Sequence, residues 1–153
     1  VIDMLGVRLH VVGTHLQSED GGSPAVHGKA ASWQQRESQF RALRSFIDAK
    51  SICADDVLII VGDMNVIRGT AEYEVMIDIL AVHEPQFEGD VDATWDPDSN
   101  RLISGQQGYC AAWYDYVLVS RRHRNLPGFV NKCIVPEQVM SDHYPVFFGA
   151  NKT

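Results

Sequence analysis

No stretch of this sequence stays apolar for long. The longest unbroken aliphatic run is Val57 to Val61, far short of the roughly 20 residues a membrane-spanning helix requires, so no such helix is expected. Cysteine is scarce as well: Cys53, Cys110 and Cys133 include no CxxC pair, which argues against a zinc or thioredoxin-type site. An odd number of thiols leaves at least one unpaired and still permits one internal disulfide, so the cysteines do not fix the redox compartment. Positive charge is also short. Thirteen Lys and Arg stand against 20 Asp and Glu, a formal net charge of -7, and nucleic-acid affinity is built largely from cations that neutralise phosphates, so a polyanionic partner is disfavoured. The one basic cluster, Arg121, Arg122, His123 and Arg124, reads as a solvated loop before it reads as a phosphate patch. There is no internal repeat, low-complexity tail or interdomain linker. Val1-Ile2-Asp3-Met4-Leu5-Gly6 carries neither a methionine at its start nor a charged-then-apolar leader, so the chain reads as one cut at its beginning.

What is there suits a folded domain. At 153 residues the chain can bury about two-thirds of the surface its unfolded form exposes, enough for one core. Leu5, Val7, Leu9 and Val11 alternate with Gly6, Arg8, His10 and Val12, the period of a strand with one buried face, and this strand ends near Gly13-Thr14-His15. Gln17 to Ala31 has no periodicity and contains Gly21-Gly22-Ser23-Pro24, so it reads as a long loop. Ser32 with Gln35 has the spacing of a capping box, and Phe40, Leu43 and Ile47 recur at helical spacing; a helix is expected from about Trp33 to Ala49. Val57 to Val61 has the composition of a strand covered on both faces, ended by Gly62. Thr70 can cap a second helix whose apolar stripe is Tyr73, Met76, Ile77 and Leu80. Asp92 to Gly108 reads as a loop, and strands are expected at about Tyr114 to Ser120, Phe129 to Val135 and Tyr144 to Phe148. Strands, then helices, then mostly strands imply a layered α/β arrangement without a doubly wound repeat.

Four polar sets fall at or beside expected strand ends: His15, the pair Asp63 and Asn65, Asp115, and the pair Asp142 and His143. Each has an ordinary structural reading. His15 can be a strand-end histidine satisfied by backbone, Asp63-Met64-Asn65 a turn, Asp115 an outward residue on an edge strand, and Ser141-Asp142-His143-Tyr144-Pro145 a turn into the last strand. Each also has a chemical one. A protonated His15 could steady charge on a phosphoryl oxygen, and Asn65 can donate and accept without changing charge. Asp115 lies in an aromatic and aliphatic strand and needs a partner; a histidine ring would suit, its tautomer fixed by the carboxylate. His143 has an unperturbed pKa suited to general-base work, and Asp142 beside it could contact a metal-bound water.

Taken in order, Gly13-Thr14-His15-Leu16, Gly62-Asp63-Met64-Asn65, Tyr114-Asp115-Tyr116 and Ser141-Asp142-His143-Tyr144-Pro145 resemble the endonuclease/exonuclease/phosphatase (DNase-I-like) superfamily. Gln17 to Asp20, Thr70-Ala71-Glu72-Tyr73, and Thr94-Trp95-Asp96-Pro97 with Asn100 are similar to bacterial-type neutral sphingomyelinase C. The resemblance runs from about Gly13 to Val146. It implies a four-layered α/β sandwich, here the C-terminal portion of a single domain lacking its N-terminal part. By resemblance His143 is the general base and Asp115 orients it, Asp63 and Asn65 position water and phosphate, and His15 stabilises the transition state. Asp142 lies near the metal, and Asn65, Trp95 and Asn100 contact substrate. The implied reaction is hydrolysis of sphingomyelin to ceramide and phosphocholine with magnesium, by a secreted or membrane-surface enzyme.

Three departures qualify that expectation. The family's metal-binding Glu and an Asn come from a region with no counterpart in this sequence, so weak metal binding and low activity are expected of this chain by itself. Only Pro136 to Met140 precedes Ser141, where lytic members carry an aromatic-rich hairpin, so membrane insertion by that device is not expected. Tyr114 stands where a Leu is usual. Two alternatives stay open: a superfamily phosphodiesterase or phosphatase acting on nucleic acid or an inositol phosphate, and a non-catalytic module that has lost its metal site.

Overall fold

The computed structural model describes residues 1–4, 6–18, 29–88, 91–104, 110–124 and 129–150. A five-stranded mixed sheet forms its centre, in the order β1 (Ile2–Met4), β2 (Val7–His15), β3 (Val57–Asp63), β6 (Asp115–Ser120) and β4 (Val82–His83). A smaller sheet has β5 (Gln86–Phe87), β7 (Phe129–Cys133) and β8 (Val146–Ala150). Helices α1 (Lys29–Asp48) and α2 (Ala71–Leu80) cover one face of the large sheet and the small sheet lies on the other. These layers bear out the α/β expectation.

The parity of β3 shows why both faces are closed. Its Leu58 and Ile60 join Phe40 and Ile47 of α1 and Met76 and Leu80 of α2 in the larger core. Its Val57 and Ile59 turn the other way, with Val117, towards Val146 and Phe148 of β8. A strand apolar at every position is what two buried faces demand. The same two-sidedness corrects the reading of β2. Val11, expected on its buried face, is exposed, whereas Val12 packs against the helix-side core. Leu5 and most of the expected loop between β2 and α1 lie outside the described residues.

Helix α2 follows its sequence signals: the Tyr73 N–H donates to Thr70 Oγ1 at 3.2 Å, and Ala81 closes the helix in the left-handed region. Helix α1 departs from its signals. It starts at Lys29, so Ser32 is buried inside the helix and the Ser32/Gln35 capping box does not cap it; Ala30 and Ala31 extend the helix because alanine is the strongest helix former. Strand β3 runs on through Gly62, which sits at φ 135° against β2; a Cβ there would lie 1.8 Å from the Thr14 carbonyl oxygen. Only glycine allows that approach. Strand β8 starts at Val146, two residues later than expected, because the Tyr144 N–H is taken by the Thr94 carbonyl at 2.6 Å. Strand β7 ends at Cys133 and β6 begins at Asp115. The short strands β1, β4 and β5 carried no periodic signal, each having three residues or fewer.

The basic cluster is used structurally. Arg121 donates to the Ile77 carbonyl, steadying the end of α2, and pairs with Asp78, while Arg122 approaches Asp48 at 3.6 Å.

Candidate active site

Three of the expected site residues occupy one row across the large sheet. His15 pairs with Asp63 in the parallel β2–β3 ladder, and Asp63 pairs with Asp115 in the antiparallel β3–β6 ladder. Cross-strand partners share a face, and here it is the face of Ile59, Val61 and Val117, turned towards the small sheet. His143 reaches the row from the segment that enters β8. Residues separated by up to 128 positions therefore meet at one end of the sheet.

The distances make a connected set. His143 Nδ1 lies 2.6 Å from Asp115 Oδ2, so the carboxylate accepts and the ring's Nε2 is left for chemistry. His143 Nε2 is 3.9 Å and His15 Nε2 3.4 Å from Asp63 Oδ2. The other Asp63 oxygen accepts from the Asn65 N–H at 2.8 Å. Asn65 adopts φ 52°, a left-handed conformation that asparagine tolerates, and its side-chain amide donates to the Leu16 carbonyl at 3.0 Å. The turn reading and the site reading of Asp63-Met64-Asn65 thus both apply. His15 is largely exposed, its side chain 73% accessible.

The electrostatics suit a base held near a second carboxyl. Burial alone would lower the His143 pKa, but the hydrogen bond it donates to Asp115 and the charges of Asp115, Asp63 and Asp142 outweigh it, and the net direction is up. Desolvation pushes the Asp63 carboxyl up, partly offset by the Asn65 N–H, with the neighbouring Asp115 charge adding to the rise.

Asp63, Asp115 and His143 each offer a ligand atom, all within 4.8 Å of one another, the one such group among the described residues. The two carboxylates suit a hard cation, which takes oxygen ligands; the imidazole does not, and Asp115 is already engaged with it. Asp142 is outside this group. It is exposed, and its Oδ1 accepts from the Ser141 hydroxyl at 3.2 Å.

Beside the dyad of His143 and Asp115 opens a cleft of about 510 Å³. Val61 and Val117 form its floor, Pro136, Met140 and Pro145 its lip, and no Lys or Arg lines it among the described residues.

Trp95 is buried, with its ring 6.4 Å from that of Tyr114 in an edge-on arrangement. Tyr114 in turn sits 6.4 Å from the His143 ring. Asn100 is wholly buried, and its amide donates to the Ser141 and Asp142 carbonyls at 2.9 and 3.0 Å. Thr94, noted in the sequence only as part of a motif, is also wholly buried; its hydroxyl oxygen accepts from the Tyr114 and Asp115 N–H groups at 3.0 and 3.2 Å. A threonine in a polar loop gives no sequence signal for such a double acceptor.

No protein-family model matches the chain. Among curated proteins, it is 34% identical to a sphingomyelinase C of Leptospira interrogans over 159 aligned positions, covering 95% of this chain and 28% of that protein. Among solved structures, sphingomyelinase C from Streptomyces griseocarneus superposes with a TM-score of 0.88 at 29% identity, over 98% of this chain and 56% of that one. A β-toxin variant of Staphylococcus aureus solved with bound magnesium ions gives 0.84 at 28% identity, over 97% and 55%. The chain spans about half the length of these solved relatives and about a quarter of that curated one. Over 90% or more of its length the chain is similar to curated sphingomyelinase C and phospholipase C proteins.

Proposed function

We propose that this chain is the base-bearing part of a magnesium-dependent phosphodiesterase that hydrolyses sphingomyelin to ceramide and phosphocholine at a membrane surface. The observation that carries the reading is the single row of His15, Asp63 and Asp115 completed by His143. In that set His15 Nε2 and His143 Nε2 lie 3.4 and 3.9 Å from the same Asp63 oxygen, so two imidazoles converge on one carboxyl.

In this reading His143 Nε2 takes a proton from water as the water oxygen bonds to phosphorus. The bond from phosphorus to the lipid alcohol breaks in line, and the alcohol leaves with a proton from solvent. Asp115 holds the imidazole in the competent tautomer and steadies its charged form. Asp63 orients the water, Asn65 contacts the phosphate, and His15, exposed at the surface, donates towards a phosphoryl oxygen. Asp63 would hold a magnesium ion through a carboxylate oxygen, with the exposed Asp142 beside His143 as a further ligand by resemblance, and the ion would offset the negative charge on phosphate. The apolar cleft without cations favours a lipid over nucleic acid as substrate.

The test is phosphocholine release from sphingomyelin vesicles by the chain, with magnesium and with EDTA, beside His143→Ala. Release that needs the metal and is lost in His143→Ala is the expected result. Nicking of plasmid DNA or phosphate release from an inositol phosphate, with sphingomyelin untouched, would replace the substrate assignment. Absence of hydrolysis of all three, with retained binding to sphingomyelin vesicles, would identify a non-catalytic module.

A further inference from the structure

Trp95 and Asn100 were expected at the substrate, yet the most buried polar groups of residues 94–100 face the protein. The Thr94 hydroxyl oxygen accepts from two consecutive amides, those of Tyr114 and Asp115. The backbone of Thr94 accepts from the Tyr144 N–H and donates to the Ala112 carbonyl. Six residues on, Asn100 donates both amide hydrogens to the carbonyls of Ser141 and Asp142, and its Oδ1 accepts from the Leu102 N–H. The segment is itself closed by the Asp96 carboxylate, which accepts from the Asp98 and Ser99 N–H groups, and by a 2.8 Å bond from the Asn100 N–H to the Asp96 carbonyl.

We infer that Thr94 and Asn100 are positioning residues that set the distance between Asp115 and His143, one gripping the strand that bears the carboxylate and the other the loop that bears the base. The inference rests on the reading of that pair as the catalytic dyad. Its physical ground is that Asp115 opens β6 of the large sheet while His143 lies in the loop that enters β8 of the small sheet, and no ladder joins the two strands. Segment 94–100 hydrogen-bonds to residues flanking both. A short hydrogen bond such as the 2.6 Å contact between His143 and Asp115 weakens steeply with misalignment. Thr94→Val keeps the shape but takes the shared hydroxyl acceptor from two partly buried N–H groups, so the start of β6 is expected to move or open. Asn100→Ala releases the other side.

The experiment uses the 153-residue chain with Thr94→Val, Thr94→Ser and Asn100→Ala. Three quantities are read: amide exchange at Tyr114 and Asp115, the low-field Nδ1 proton of His143 identified by its loss in His143→Ala, and kcat against KM for phosphodiester hydrolysis. Thr94→Val is expected to speed exchange at both amides at least tenfold, to abolish the low-field proton and to lower kcat about 10²-fold with KM unchanged, the scale set by a misplacement of about 1 Å. Thr94→Ser is expected to restore all three. Asn100→Ala is expected to lose the low-field proton and kcat while the two amides stay protected. Thr94→Ala and Asn100→Ser replace any variant whose amide spectrum loses its dispersion.

Retention of the low-field proton in both Thr94→Val and Asn100→Ala would overturn the inference, as would its absence from the unaltered chain. A loss carried by KM alone would return the segment to substrate contact. If the unaltered chain hydrolyses no phosphodiester, the proposed function fails, while the exchange and low-field readouts still decide whether the brace exists.

Discussion

Arg36 and Glu72 offer the sharpest test of how the fold is held beneath the site. Arg36 is 1% exposed, and its Nε and Nη2 donate to the two oxygens of Glu72 at 2.6 and 2.8 Å, joining α1 to α2. Its Nη1 donates to the Gln17 carbonyl at 3.1 Å, just past His15. The perturbation is Glu72→Gln, which removes one charge with little change of shape. The variant takes the Glu72 carboxylate away from a buried guanidinium, and breaking a buried ion pair from one side costs about 3–5 kcal/mol. Against a total stability of about 5–15 kcal/mol, that leaves a marginal protein. With a cost of about 4 kcal/mol and a urea slope of about 2 kcal/mol per molar, the unfolding midpoint should fall by about 2 M. The reverse change, Arg36→Met, should cost less, because the Glu72 side chain is 11% accessible against 1% for Arg36 and can gain water. The double variant Arg36→Met with Glu72→Leu should recover most of the loss, since apolar replacement of a buried pair is often neutral. The assay is urea unfolding followed by tryptophan fluorescence, completed as a double-mutant cycle. A Glu72→Gln midpoint within 0.5 M of the unaltered chain (about 1 kcal/mol at that slope), or additivity of the two single changes, would refute the reasoning.

Four further expectations concern the site and its surroundings. Asp115→Asn should lower kcat for phosphodiester hydrolysis by up to about 10⁴-fold, the scale of losing the carboxylate behind a catalytic histidine; steady-state kinetics check it. Because a base works only when unprotonated and the His143 pKa is raised above its ordinary 6.5, the rate should rise with pH through a midpoint above 6.5, and that midpoint should drop in Asp115→Asn; a pH–rate profile that stays flat down to pH 6 would contradict both. Gly62→Ala should cost more than about 4 kcal/mol, in the range of severe backbone clashes, because the new Cβ meets the Thr14 carbonyl at 1.8 Å; loss of soluble folded protein or of a cooperative unfolding transition is the readout. Cys53 and Cys110 are exposed whereas Cys133 is buried with its thiol pushed up to about 11 by desolvation, so mass spectrometry after alkylation at pH 8 should find Cys133 unmodified until urea is added.

The long elements were legible because their burial is simple. The stripe of Tyr73, Met76, Ile77 and Leu80 after Thr70, and the unbroken apolar run of β3, each state locally what tertiary packing then confirms. Elements that answer to remote partners were not legible. Strand β8 begins late because Thr94 withdraws the Tyr144 N–H, and β2 sends Val12 to one core and Leu9 to the other while Val11, on the face of Leu9, stays exposed. The α1 start was misplaced since a capping box is only a local spacing, and a helix ignores it when better helix formers precede it.

The sequence by itself singled out His15, Asp63, Asn65, Asp115 and His143 as residues able to do chemistry at strand ends, and the order of the four motifs carried the resemblance to a superfamily. Their convergence was decided by tertiary structure alone. Register across β2, β3 and β6 sets His15, Asp63 and Asp115 in one row, and register is a property of paired strands that no single strand encodes. The roles of Thr94 and Asn100 likewise had to await the fold, since a hydroxyl or an amide shows its purpose only once its donors and acceptors, about 20 to 50 residues away in the chain, have been brought within 3 Å or so by hydrogen bonding.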